Sequence, residues 1–140
     1  MTYMQWFESH AQKHEAIMKT LTHLNDAEVI EYFLFENMRE KHPDFCPLYA
    51  QNKKCHEIES LNCYFCACNH FRFSDKGLTQ EGNQTRYSLC AIEAKESRDF
   101  KSKDAIHLDC SSCEIPHKKS VIEKHFSRSW REIMLKSVMN

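Results

Sequence analysis

Glycine is scarce in this chain of 140 residues, and both of its glycines, Gly77 and Gly82, fall in one polar loop. A phosphate-binding loop and a Gly-x-Ser-x-Gly nucleophile turn each need glycines at fixed spacings. The sequence contains neither motif, and it has no pair of carboxylates in a recognisable catalytic context. We therefore do not expect an enzyme in its own right.

Long apolar segments are also missing. No run approaches the roughly 20 residues that cross a bilayer. The first eight residues contain neither a basic segment nor an apolar one, so we expect no signal peptide. The sequence therefore predicts a cytoplasmic protein without a membrane partner, in a compartment where thiols stay reduced.

The charges are unevenly distributed although the formal net charge is −1. Residues 1–45 hold four basic and eight acidic side chains, whereas residues 117–140 hold six basic and two acidic ones. The basic tail leaves nucleic-acid binding open, because basic groups beside an aromatic ring can bind phosphate and stack on bases. The residues concerned are Lys118, Lys119, Lys124, Arg128 and Arg131, with Trp130. A pI near 6.7 argues against this function, and Trp130 lies on an apolar stripe that predicts a core position.

All eight cysteines lie between residues 46 and 113. In a reducing compartment such a density favours metal binding over disulfides. Cys63 and Cys66 form one Cys-x-x-Cys pair, and Cys110 and Cys113 form another. Each such turn supplies two thiolates from one tight bend, as in zinc ribbons. We predict that these four thiolates share one closed zinc site.

Four cysteines remain outside these pairs, and two histidines lie beside cysteines at metal-ligand spacing. A second site is predicted from this set, namely Cys46, Cys55, Cys68, Cys90, His56 and His117. A tetrahedral metal takes four ligands, so this set has more donors than places. It is therefore the site where metal exchange is conceivable, but we predict that it too is saturated, because Pro47 and Pro116 beside its ligands stiffen the chain and favour a fixed site.

Three alternatives remain open for the chemistry. An iron–sulfur cluster is also held by four cysteine thiolates. An unliganded Cys68 or Cys90 beside a base would be a catalytic nucleophile. His10 and His14 are four residues apart on a predicted helix, a spacing that can chelate a metal, although both can equally be exposed side chains.

The sequence predicts one compact α+β unit in three parts, stapled by metal. Residues 1–42 are predicted to form a helical hairpin, residues 43–117 a loop-rich cysteine domain, and residues 118–140 one amphipathic helix. Within the cysteine domain, residues 71–73 and 85–89 alternate in polarity as strands do, which predicts a short β-hairpin.

The predicted hairpin of helices has definite boundaries. The first helix is expected over residues 4–24 and the second over residues 26–41. Asn25 is a favourable cap, and Glu28 three residues later completes a capping box. Further on, the polar residues 91–104 are expected to contain a short helix.

At its cysteines the sequence resembles the bacterial and archaeal family called the cysteine-rich small domain. The matching segments are residues 46–49, 54–56, 62–68, 90 and 109–117, roughly the middle half of the chain. The resemblance implies metal binding by ten residues: Cys46, Cys55, His56, Cys63, Cys66, Cys68, Cys90, Cys110, Cys113 and His117. Members are sometimes joined to cobalamin-biosynthesis enzymes, so the resemblance also suggests a link to cobalamin metabolism.

The function we expect is a small structural or interaction module with two zinc sites and a protein partner. The alternative is a protein that passes metal or electrons to a partner enzyme, using zinc or an iron–sulfur cluster.

Overall fold

Five α-helices flank two small β-sheets in the computed structural model, which describes residues 1–140. The helices are α1 (Tyr3–Met18), α2 (Asp26–Tyr32), α3 (Phe35–Lys41), α4 (Lys119–His125) and α5 (Trp130–Met134). The strands are β1 (Phe71–Phe73), β2 (Thr79–Glu81), β3 (Gln84–Arg86), β4 (Ser88–Cys90), β5 (Arg98–Lys101) and β6 (Ala105–Asp109). Short 3₁₀ turns cover Pro47–Gln51, Ile115–His117 and Leu135–Ser137. The predicted α+β class is confirmed.

The first helix is shorter than predicted, because it ends at Met18 rather than near residue 24. Both the amide and the hydroxyl of Thr20 donate hydrogen bonds to the Ile17 carbonyl, at 2.9 and 2.7 Å. These local bonds tighten the chain into a turn. The predicted capping box is confirmed, since the side chains of Asn25 and Glu28 each accept the other residue's backbone amide.

The second predicted helix is interrupted in the middle. Leu34 adopts an extended conformation (φ −60°, ψ 144°) between α2 and α3. At the same place the Phe33 carbonyl accepts the Cys63 amide at 2.8 Å, and the Phe35 amide donates to the Leu61 carbonyl at 2.9 Å. The prediction of one continuous helix is wrong because these backbone groups pair with the segment that carries the first Cys-x-x-Cys turn.

The predicted β-hairpin is present only in part: β1 pairs antiparallel with β4, with Phe71 opposite Cys90, whereas residues 84–86 pair as β3 with β2 inside the predicted loop. A four-stranded sheet has the order β2-β3-β6-β5, in which β3 and β6 run parallel. Its edge strand β5 lies where a short helix was predicted, so that prediction is wrong. Arg86 of β3 reaches across β6 to bind Asp99 of β5 through two hydrogen bonds of 2.8 and 2.9 Å, which favours the strand.

The single C-terminal helix predicted for residues 118–140 is divided. Phe126 is extended (ψ 134°) after α4, and Ser129 then caps α5 by accepting the Glu132 amide. The apolar stripe itself is confirmed, since Ile122 and Trp130 are at most 2% exposed. Among the helices, α1 packs most closely on α5 and α2 on α4. No helix has the length and apolar character needed to cross a membrane.

His10 and His14 are buried in the aromatic core, at 5% and 0% exposure, not exposed at the surface. The His14 ring stacks on Phe33, and its Nε2 lies 2.9 Å from the Tyr64 carbonyl oxygen. The His10 ring meets Trp130 edge-on. Burial lowers the pKa of His10 to about 3 and that of His14 to about 4, so both imidazoles are neutral at pH 7.

Candidate metal centre

The structure separates the eight cysteines into two groups of four, and each group contains one Cys-x-x-Cys pair. The first group is Cys46, Cys55, Cys63 and Cys66. The second group is Cys68, Cys90, Cys110 and Cys113. All eight thiols are free of disulfide bonds. The two Cys-x-x-Cys pairs that the sequence predicted to share one site thus lie beside different neighbouring thiols.

The chain passes from the first group to the second within two residues. Cys66 has a left-handed backbone (φ +42°), a conformation that a non-glycine residue adopts only when its surroundings hold it there. Only Ala67 then separates Cys66 from Cys68. The left-handed residue thus lies where the two groups meet.

The thiols of the first group lie close enough to influence one another, although no three of their sulfurs come within 4.8 Å of each other. The pKa of the Cys63 thiol is raised to about 12, mainly by burial and in smaller part by the Cys55 and Cys46 thiols, while the Tyr49 hydroxyl opposes the shift. Burial also raises the pKa of Cys66, again with contributions from the other three thiols. Such mutual effects arise when several groups that can become anionic lie close together in a poorly solvated place.

Tyr49 places a buried polar atom beside these thiols. Its hydroxyl lies next to the Cys63 thiol, but no atom is positioned to form a well-aligned hydrogen bond with it. The pKa of Tyr49 is raised, first by burial and then by the nearby thiols. A buried hydroxyl normally donates to a partner, so Tyr49 has a donor available for a thiolate in this group. The one sign of this role in the sequence is that Tyr49 lies three residues after Cys46.

The second group surrounds a small, partly open cavity of about 20 Å³. Strands β4 and β6 end beside it and deliver Cys90 and Cys110 to its wall. The Cys113 amide donates to the Cys110 carbonyl at 2.9 Å and closes the second Cys-x-x-Cys turn. The rest of the wall is largely apolar and includes Phe71, Leu108, Ile115 and Pro116. A cavity of this size has room for about one water molecule or small ion.

Backbone amides point at two sulfurs of the second group. The His70 amide lies 3.4 Å from the Cys68 sulfur, and the Ala94 amide lies 3.5 Å from the Cys90 sulfur. Burial raises the pKa of Cys68 and brings that of Cys110 to about 12, with the other thiols of the group adding to both shifts. His70 lines the same cavity as Cys68 and Cys90, but both sulfurs receive their hydrogen bonds from backbone amides rather than from a side-chain base.

Cys55, His56 and His117 form the tightest cluster of potential ligands. Their donor atoms all lie within 4.8 Å of one another, and no other three such residues in the chain come this close. The Cys55 sulfur is 3.2 Å from Nδ1 of His56 and 3.6 Å from Nε2 of His117. Sequence reasoning named all three as ligands but had no means of placing His117 beside Cys55, 62 residues away.

Asn62 is a positioning residue that sequence reasoning missed. It is 2% exposed, its side chain donates to the Ile30 carbonyl at 2.7 Å, and it accepts the Tyr64 amide at 2.8 Å. Its own carbonyl lies 3.0 Å from Nδ1 of His117. The only signal in the sequence was that Asn62 directly precedes Cys63.

Comparison with known proteins adds no relative, since no family model, curated protein or solved structure matches the chain. The resemblance to the cysteine-rich small domain therefore stays a prediction.

Proposed function

We propose that this protein is a small metal-binding module in which two zinc ions stabilise the fold and the surface docks a protein partner. The observation that carries the proposal is the division of eight free cysteines into two groups of four. Four thiolates complete a structural zinc site. A chain with a loop-rich middle gains folding free energy directly from such sites.

The second group has the features of a closed site. Its cavity is small and its wall is largely apolar, so a metal ion there would be partly shielded from water. Amides directed at Cys68 and Cys90 would stabilise thiolates by hydrogen bonding, as outer partners do for metal ligands.

The first group fits a metal through a different feature. The buried Tyr49 hydroxyl lacks a partner, and a metal-bound thiolate of Cys63 would accept a hydrogen bond from it. A buried donor without a partner costs about 1–3 kcal/mol. Metal binding would remove that penalty, because it holds the sulfur as an anion at neutral pH.

An iron–sulfur cluster remains the alternative cofactor, because thiolates hold both kinds of centre. Redox or metal transfer to a partner enzyme, with the suggested link to cobalamin metabolism, is the alternative function. We prefer zinc because two Cys-x-x-Cys turns in a small domain are typical of structural zinc sites.

A protein partner is favoured over nucleic acid. Trp130, the aromatic residue expected to stack on bases, is buried and donates its indole N–H to the Phe65 carbonyl. Arg128 pairs with Asp26, and Arg131 pairs with Glu8. Large apolar side chains nevertheless remain at the surface, namely Trp6, Ile92, Phe100 and Leu135. We place this module in the cytoplasm, where its thiols would stay reduced.

The test is elemental analysis and an absorption spectrum of the chain purified without air. Two zinc ions per chain and a colourless solution are expected. Brown protein with iron and acid-labile sulfide would show that the cofactor is an iron–sulfur cluster rather than zinc. Protein without metal and with disulfides would overturn the proposal.

A further inference from the structure

Cys55, His56 and His117 are spaced as ligands of one metal ion would be. When zinc binds sulfur at about 2.3 Å and nitrogen at about 2.1 Å in a tetrahedron, the two ligand atoms stand about 3.6 Å apart. The Cys55 sulfur lies 3.6 Å from Nε2 of His117 and 3.2 Å from Nδ1 of His56. The first distance equals the expected value and the second is slightly shorter.

Both histidines already have the second contact that metal ligands use. Nδ1 of His117 lies 3.0 Å from the Asn62 carbonyl oxygen, and Nε2 of His56 lies 3.5 Å from the Cys110 carbonyl oxygen. If each of these nitrogens carries the proton and donates it, the nitrogen nearer Cys55 keeps a lone pair. Metal-ligating histidines almost always donate their other N–H in this way.

The cluster is open on one side. His117 is buried and His56 is partly buried, whereas Cys55 is exposed. The three residues supply three donors, which leaves the fourth place of a tetrahedral ion to solvent. Three protein ligands with one open place distinguish reactive zinc sites from structural ones.

We propose that Cys55, His56 and His117 bind a divalent transition-metal ion with one exchangeable place, distinct from the closed second group. This inference rests on the proposed metal-binding function and names where metal enters and leaves the protein. Cys55 also belongs to the first group, so its sulfur would be shared between the open site and that group.

The experiment uses Co²⁺ alone as the probe. Zinc-loaded chain is titrated with Co²⁺ without air, and binding is followed by dialysis and by the absorption bands of cobalt bound to sulfur and nitrogen. The wild-type chain is expected to take up about one Co²⁺ beyond its firmly held metal, because three ligands form one site. This ion should leave rapidly to a weak chelator while the fold persists.

The informative variant is His56→Ala, because His56 is only partly buried and the fold should tolerate the change. Losing one of three ligands should weaken Co²⁺ binding at least about tenfold, the size of effect seen even when an outer partner of a ligand is lost. His23→Ala is the matched control, since His23 is exposed and lies outside the cluster. It should bind Co²⁺ as the wild type does.

Two results would overturn the inference: a zinc-loaded wild type that takes up no Co²⁺, or a His56→Ala chain that binds it unchanged. The metal content on purification tests the broader function separately. If the chain holds no zinc firmly but still binds Co²⁺ through His56, the open site is supported and the structural role of zinc is not. If the chain holds two zinc ions but takes up no Co²⁺, the structural role is supported and the open site is not.

Discussion

The backbone amide of Cys63 donates a 2.8 Å hydrogen bond to the carbonyl of Phe33, at the point where the second predicted helix is interrupted. The first Cys-x-x-Cys turn is thereby joined to the N-terminal helices through the backbone. A second backbone hydrogen bond, from the Phe35 amide to the Leu61 carbonyl, joins the same two segments on the other side of Leu34. Changes at the first cysteine group should therefore reach α2 and α3.

The first prediction separates the observed grouping from the one that the sequence suggested. Cys63→Ser with Cys66→Ser should remove one metal ion and leave the other, because both residues belong to the first group. Cys63→Ser with Cys110→Ser should remove both ions, because it damages each group. Elemental analysis of the two double variants measures this. If Cys63→Ser with Cys110→Ser kept one ion, the two Cys-x-x-Cys pairs would share a site after all.

The second prediction concerns metal removal. Structural zinc sites contribute on the order of 10 kcal/mol each to folding of small domains, so a strong chelator should unfold the cysteine-rich middle. The backbone amides of Cys63 and Phe35 should then exchange faster, because the hydrogen bonds that join these two segments break when the middle unfolds. The α1 helix, which is capped at Thr2, should retain more protection. Native exchange rates after complete metal loss would contradict a structural role for the metal.

The third prediction tests the buried hydroxyl beside the first group. Tyr49→Phe keeps the ring but removes the donor available to a thiolate. We expect the affinity of the first group for its metal ion to fall about tenfold, the size of effect found when a residue that hydrogen-bonds to a metal ligand is removed. The second ion should be unaffected. Competition with a coloured chelator gives both values in one experiment, and equal release from variant and wild type would exclude this role for Tyr49.

The fourth prediction concerns acid. The pKa of His10 is lowered to about 3 by burial, against 6.5 for an unburied histidine. The unfolded chain therefore binds more protons than the folded chain between these pH values. The corresponding stability is fully present above pH 6.5 and is lost as pH falls towards 3.

His10→Phe should remove this part of the acid sensitivity. By pH 4 the wild type should lose about 3 kcal/mol of stability through His10, relative to the variant. Lys13 and His14 are the charged or titratable neighbours that add to the shift, and both remain in the variant. Denaturant unfolding of the two chains at pH 7 and pH 4 measures the difference. Metal loss in acid affects both chains alike, so parallel losses would refute the histidine mechanism.

Local signals predicted local structure well. The capping box at Asn25 and Glu28 is present because both partners lie within one helical turn. The pairing of β1 with β4 followed from the alternating residues around the polar loop. The two Cys-x-x-Cys turns were recognisable because cysteine spacing within one turn is a short-range property.

Features set by distant contacts could not be read from the sequence. The break at Leu34 depends on backbone groups of residues 61–63, and the helical pattern through it contains no glycine or proline. Strand β5 forms because β6 offers it a partner edge. The assignment of the two Cys-x-x-Cys pairs to separate groups likewise depends on how the chain returns to itself.

If each cysteine group binds an ion as proposed, the single residue between Cys66 and Cys68 would link the two sites thermodynamically. An ion that fixes Cys66 also fixes the direction in which Cys68 leaves, so the second site forms at a smaller entropic cost. Such coupling is reciprocal, and each ion must raise the affinity for the other by the same factor. Loading would then be cooperative, with half-filled chains rare at intermediate metal concentrations.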